Sequence, residues 1–231
     1  LSDSEKRELI AEIQRQQNVL KALLDQEQSA LTELAKRLWA QQESDKARLS
    51  RELHDGVGQL LTGLTRRLQT MAHTDPAVSE LAEIAELALA DVRQLSRLMS
   101  PTILDDLGLK PALNWLCRNL FEHEQITYSC EVDVQPDLPK DISILIFRVT
   151  QESLVNSIKH AHSSAVTVTV KQHFNMVMLN LIDNGKGFSR ENITPGVGLA
   201  SIEDRAKAFN ADLNIHSSPE HGTRISLTIP L

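Results

Sequence analysis

Glycine and proline are absent from Leu1 to Asp55, a stretch dominated by Glu, Gln, Lys, Ala and Leu. With neither breaker present, one long helix is expected there. Aromatic residues make up only 3% of the chain, so the core must be largely aliphatic. The two cysteines, Cys117 and Cys130, show neither metal-ligand spacing nor a disulfide framework. That fits a reducing compartment. No apolar run approaches membrane-spanning length, and no signal peptide is visible. The net charge is -7, with no basic run and no interleaved aromatics, which argues against a direct nucleic-acid partner. At 231 residues the chain has room for one large domain or two ordinary ones. It begins at Leu1 instead of Met, already inside a helical pattern. A fragment is therefore expected, with a sensor domain, membrane-embedded or not, upstream of it.

Within the first helix, Ile13, Leu20, Leu24, Leu31, Leu34 and Leu38 follow steps of seven, four or three. Gln17 and Glu27 weaken the seam. So narrow a stripe cannot be buried by the helix alone, and a second copy is the simplest partner. The pattern runs on through Leu49, Leu53, Val57, Leu60 and Leu64 to Met71, and breaks at His73-Thr74-Asp75-Pro76. A second amphipathic segment, about Val78 to Met99, stops at Ser100-Pro101. The short break predicts an antiparallel hairpin, and two hairpins meeting through their stripes would make a four-helix bundle.

The segment Arg51-Glu52-Leu53-His54-Asp55-Gly56-Val57-Gly58-Gln59-Leu60 stands out within that helix. His54 lies about 100° off the apolar stripe, and Asp55 and Gln59, four apart, share a face beside it. Each glycine inside a helix costs about 1 kcal/mol relative to alanine. Two of them next to a histidine suggest room for something to approach; the plainer alternative is a surface histidine on a coiled coil.

Thr102–Pro111 reads as a linker, with a short helix over Pro111–Phe121. Strands are expected at Ile126–Val134, around Val166–Val170, at Val177–Ile182, Leu213–His216 and Arg224–Ile229, with helices at Leu138–His162 and Leu199–Phe209. Strands mostly in hairpin order with helices between them indicate an α+β layer, one mixed sheet covered on one face.

Four clusters in this half can carry chemistry. Glu152, Asn156, Lys159 and His160 share a helix face; a carboxylate, an amide and a cation so aligned can hold a hard metal ion and the phosphates it bridges. A solvated polar face is the competing explanation. Asp183-Asn184-Gly185-Lys186-Gly187 follows a strand on which Val177, Leu179, Leu181 and Asp183 point one way. A carboxylate at the edge of the core needs a donor, and a purine amino group would serve, although Asn-Gly also signals a hairpin turn. Gly196-Val197-Gly198-Leu199 opens a helix and could bind an anion through backbone N–H groups. Gly222-Thr223, entering the last strand, is the weakest of the four.

Together, the strand-borne Asp with its glycines, the Gly-x-Gly helix start and the upstream Asn helix resemble the nucleotide-binding fold shared by histidine kinases, gyrase-type and chaperone ATPases and mismatch-repair ATPases. Gln151–His160 looks like the N box of that family, Asp183–Gly187 and Gly196–Gly198 like its glycine boxes. Arg51-Glu52-Leu53-His54-Asp55, with Gln59, resembles the dimerisation and phosphoacceptor helix of two-component sensor histidine kinases of the nitrate-sensor type. Leu104-Asp105-Asp106-Leu107-Gly108-Leu109 and Pro111-Ala112-Leu113 look like the linker of that subfamily. The segment between the glycine boxes is short, leaving a small lid, and Asn210-Ala211 stands where relatives often carry Gly-Gly. The N-terminal coil matches by composition alone.

The resemblance implies an α+β, multidomain chain: a coiled-coil signalling helix over residues 1–45, a dimerisation and phosphotransfer hairpin over 46–101 forming a dimeric four-helix bundle, a linker and short helix over 102–122, and an α/β-sandwich (Bergerat-type) ATP-binding domain over 123–231. It implies ATP and Mg²⁺ as cofactors, with Asp183 on the adenine amino group supported by Thr223. Asn156 would be the metal ligand, helped by Glu152. Lys159, His160, Gly185, Gly187, Gly196 and Gly198 would surround the nucleotide. His54 would accept the γ-phosphoryl group, Asp55 would steady it, and Gln59 would orient water for phosphatase action on a response-regulator receiver domain. A homodimer on the cytoplasmic side is expected, its fuller form anchored at the inner membrane. The competing readings are a nucleotide-gated interaction module, a gyrase-type or chaperone-like ATPase, and a phosphatase-biased core.

Overall fold

The computed structural model describes residues 3–72, 76–100, 102–189 and 197–231. With no breaker in its sequence, helix α1 (Asp3–Glu52) runs for 50 residues. A π-helical turn, Leu53–Gly58, then leads into α2 (Gln59–Ala72). The expected break at His73–Asp75 lies outside the described residues. Helix α3 (Pro76–Met99) returns against α2 and the lower part of α1. The pairing is antiparallel: Gln69 donates to Glu86, while Ser50 and Ser96 exchange hydrogen bonds of 2.8–2.9 Å through hydroxyl and carbonyl groups. These two buried serines close the α1–α3 crossing one turn above His54.

Two apolar faces run along α3. Ala82, Ala85 and Leu89 are buried against its own chain, where small side chains permit close approach, whereas Leu81, Ile84, Leu87 and Leu95 remain more than half exposed. Along α1, Leu20, Leu24, Leu31, Leu34 and Leu38 are likewise more than half exposed. The stripe expected around His54 is also uncovered within one chain, with Leu60 at 77% exposure. A single copy thus leaves apolar surface along the whole helical region.

The expected linker carries a helix of its own, α4 (Thr102–Leu107). Gly108, at φ 83°, turns the chain into α5 (Leu109–Phe121), two residues earlier than proline placement suggested. Pro111 falls within the first turn of α5, where its missing N–H has no intrahelical acceptor to lose. Then come β1 (Thr127–Asp133), α6 (Lys140–Asn156), a π-helical turn at Ser157–Ala161, β2 (Ala165–His173), β3 (Met176–Asp183), α7 (Val197–Ala208), β4 (Asp212–Ser217) and β5 (Thr223–Pro230).

The five strands form one mixed sheet in the order β1-β2-β3-β5-β4. Strands β1 and β2 are parallel and the other pairs antiparallel. Alternation does the sorting. Val166, Val168, Val170, Leu179, Leu227 and Ile229 turn one way, into a core with Leu113, Leu116, Phe147, Leu154 and Ile202 from the helices. Thr167, Lys171, Met178 and Arg224 turn outward. The fold is α+β, a long helical region followed by a helix-covered mixed sheet.

Candidate functional site

A cavity of about 540 Å³ opens between α6, the end of the sheet and the start of α7, a size typical of small-molecule sites. Helix α6 brings Glu152 and Asn156 to it. Beyond Asn156 the π-helical turn changes the helical phase, yet Lys159 and His160 still line the same space. Asp183 comes from the last position of β3 and Thr223 from the first of β5, and the two are register partners. Gly187 and Gly198 complete the set. Gly185 sits behind the wall, against Ala161, and Gly196 lies outside the described residues.

Asp183 is 9% exposed. One carboxylate oxygen accepts the Gly185 N–H at 2.9 Å and the other accepts the Ser157 hydroxyl at 3.3 Å. A carboxylate has about four acceptor positions, so capacity remains for a donor in the cavity. The Asn184 side chain is structural: its oxygen accepts the N–H groups of Ser164 and Ala165 at 2.9 Å, and its amide donates to the Ser164 hydroxyl. That clamp ties the end of β3 to the start of β2. Asn184-Gly185 is not a hairpin turn, because β3 finds its next neighbour, β5, only after α7 and β4 have intervened.

Ser217 organises the opposite wall, and nothing in its sequence context announces it. Its hydroxyl donates to the Gly222 carbonyl at 2.9 Å, accepts the Phe188 N–H at 2.9 Å and lies 3.1 Å from the Thr223 hydroxyl. With the Ser217 proton committed to Gly222, Thr223 donates to Ser217 and turns its lone pairs to the cavity. Gly222 holds φ 73°, and a Cβ there would stand 2.0 Å from the Asp183 carbonyl oxygen. Only glycine allows the two strand ends to approach so closely.

At the other end, a Cβ on Gly198 would stand 2.1 Å from Glu152 Oε1 and 3.5 Å from Asn156 Nδ2. Both side chains therefore converge on the start of α7. A carboxylate and an amide oxygen are hard ligands suited to Mg²⁺, which binds through one or two protein groups and takes its remaining ligands from water and phosphate. The donor set fits the ion.

His54, Asp55 and Gln59 lie elsewhere. All three are exposed on the π-helical turn and the start of α2, and none lines the cavity. Around Gly56 there is open space where a Cβ would be, and π-helical turns recur at functional positions. Between the two regions stands a residue that the sequence does not single out. Arg148 is 4% exposed and bonded to Glu43, Gln151 and the carbonyls of Leu98 and Met99. An arginine three residues before Gln151 gave no signal, because its partners on α3 and α1 are 50 and 105 residues away.

A helix-covered mixed sheet with this cavity defines a nucleotide-binding domain joined to a helical hairpin. Residues 141–231 match the family described as histidine kinase-, DNA gyrase B-, and HSP90-like ATPase, and residues 45–104 match a histidine kinase family. The chain belongs to the histidine kinases. The signal transduction histidine-protein kinase/phosphatase DegS of Brevibacillus brevis is 30% identical over 201 residues, covering 82% of this chain and 52% of that one. The oxygen sensor histidine kinase NreB of Staphylococcus carnosus is 29% identical over 227 residues, covering 93% and 64%. This chain thus spans between half and two-thirds of these relatives. The histidine kinase domain of the Erythrobacter litoralis EL346 blue-light activated histidine kinase shares the fold at a TM-score of 0.51 and 16% identity, over 83% of this chain and 94% of that one.

The close approach at Gly222 is testable. Gly222→Ala is expected to destabilise the sheet domain by roughly 1–3 kcal/mol, since a side chain there is strained at positive φ. An unchanged urea midpoint would sink the assignment.

Proposed function

We propose that this chain is the catalytic core of a two-component sensor histidine kinase that phosphorylates His54 from ATP. One observation carries the reading: a single chain holds a cavity lined by Asp183, Asn156 and Glu152 and, apart from it, an exposed histidine on a distorted turn of a helical hairpin. Asp183 accepts the adenine amino group, with Thr223 beside it. Lys159, His160 and the start of α7 face the phosphates. Asn156, with Glu152, would hold Mg²⁺, which when bound neutralises phosphate charge.

His54 attacks the γ-phosphorus through a neutral ring nitrogen, and the bond from phosphorus to the bridging oxygen of ADP breaks. Asp55 can hold the proton on the other ring nitrogen and steady the developing imidazolium, as a carboxylate does in hydrolase triads. What the protein supplies is position and charge. The phosphoryl group then passes to an aspartate of a response-regulator receiver domain. Gln59 can orient the water that removes it again, a role that the name of the kinase/phosphatase relative supports. The uncovered apolar stripes on α1 and α3 are suited to a second copy of the chain, and among the described residues no helix is long and apolar enough to cross a membrane.

Five outcomes check this. With γ-labelled ATP and Mg²⁺, the chain is expected to take up label that survives alkali and is lost in acid. His54→Ala should carry none, and Asp183→Asn should weaken nucleotide binding at least tenfold, about 1.4 kcal/mol. Label retained on the His54 variant would end the proposal. Gln59→Ala should keep autophosphorylation and lose phosphatase action; equal phosphatase rates would remove Gln59 from the mechanism. Joint replacement of Leu31 and Leu38 by Glu should shift the chain towards monomer in sedimentation, and an unaltered dimer would reject the stripe.

A further inference from the structure

Neither the cavity nor the dimer stripe accounts for how α1 meets the ATP-binding domain. Lys36, Trp39, Glu43 and Lys46 recur at three- and four-residue steps on a face of α1 distinct from Leu31, Leu34 and Leu38. Trp39 is buried edge-on against Phe209, with ring centroids 5.0 Å apart. Lys36 lies over the same Phe209 ring and pairs with Asp141 of α6 at 3.6 Å. Two turns of helix further, Glu43 accepts three hydrogen bonds from Arg148, at 2.7–3.1 Å.

Every N–H of the Arg148 guanidinium is used. Nε and Nη2 donate to Glu43, Nη1 to Gln151 and the Leu98 carbonyl, and the second Nη2 proton to the Met99 carbonyl. One side chain therefore grips α1, the last turn of α3 and, through its own backbone, α6. Leu98 and Met99 immediately precede the connection to α4, so the grip lies where the hairpin joins the sheet domain. Four residues after Arg148 stands Glu152, and Asn156 follows after another four, so the contact sets where the cavity lies relative to α1.

Charged groups make up much of this interface. These gain water on separation, and a polar contact between domains ordinarily permits motion. Burial lowers the pKa of the Lys46 ammonium and of the Arg205 guanidinium, with Glu43 acting to raise both. The buried Trp39 Nε1–H has no acceptor among the described residues, a cost that undocking removes. We propose that the Glu43–Arg148 pair is a latch that parks the ATP-binding domain on α1, away from His54, and that its opening gates autophosphorylation. The gating half rests on the kinase reading above.

The chain has two tryptophans, so Trp115→Phe leaves Trp39 as the only indole. In that background, Glu43→Lys reverses the charge and Glu43→Gln keeps the shape while removing it. Both are expected to raise acrylamide quenching of Trp39 towards that of an exposed indole. Initial labelling at saturating ATP should rise about tenfold, because loss of one partner of a buried ion pair shifts the population away from the docked state. Nucleotide affinity should stay as in the parent, which also shows that the domain is folded. Trp39 still shielded in both variants overturns the latch. Trp39 uncovered with labelling unchanged or slower overturns the gating. Trp39 uncovered with no label in any form, the parent included, supports the docking contact and overturns the kinase reading itself.

Discussion

A buried guanidinium cannot tolerate a missing partner, and the arrangement of this molecule depends on that intolerance. Arg148 has five N–H groups to satisfy and finds acceptors on α1, on α6 and at the end of α3. Losing one partner of such a set is far more costly than losing a surface ion pair of the same length, because the remaining charge stays out of water. Contrast Arg37 with Glu33, which are both well exposed on one helix and contribute little. The Arg148 contact is complete in the docked arrangement, with every guanidinium N–H bonded.

Inside the sheet domain the same accounting of polar groups shapes the site. Asp183 and Thr223 face each other because β3 and β5 are in register, and the strand ends can close only where Gly222 has no side chain. Ser157 and Ser217, one on each wall, take up the hydrogen bonds that would otherwise be left to the cavity-facing groups. The residues that face a ligand are thus held by residues that do not.

Two of the stretches that carry the proposed chemistry coincide with departures from α-helix. The turn at Leu53–Gly58 contains His54, and the turn at Ser157–Ala161 contains Lys159 and His160. An extra residue per turn bulges the backbone and re-aims the side chains near it. In the first case the space beside Gly56 is open, while Gly58 is buried; in the second the bulge brings two basic side chains onto the wall already formed by Glu152 and Asn156.

Much of the architecture was legible from local pattern. The long helix followed from the absence of Gly and Pro, the strands from period-two alternation, and the residues gathered at the cavity from the grouping of Glu, Asn, Asp and Gly at strand and helix ends. These depend on interactions within a few residues, which sequence displays directly. The helix in the expected linker was missed because Asp105-Asp106 and Gly108 read as loop chemistry, while Ile103 and Leu104 pack on the core. Tertiary structure alone decided the rest. Ser217 became part of the wall only when β4 paired with β5, and Arg148 met Glu43 across 105 residues of chain. No periodicity records such distant pairings, since each depends on where a whole domain comes to lie.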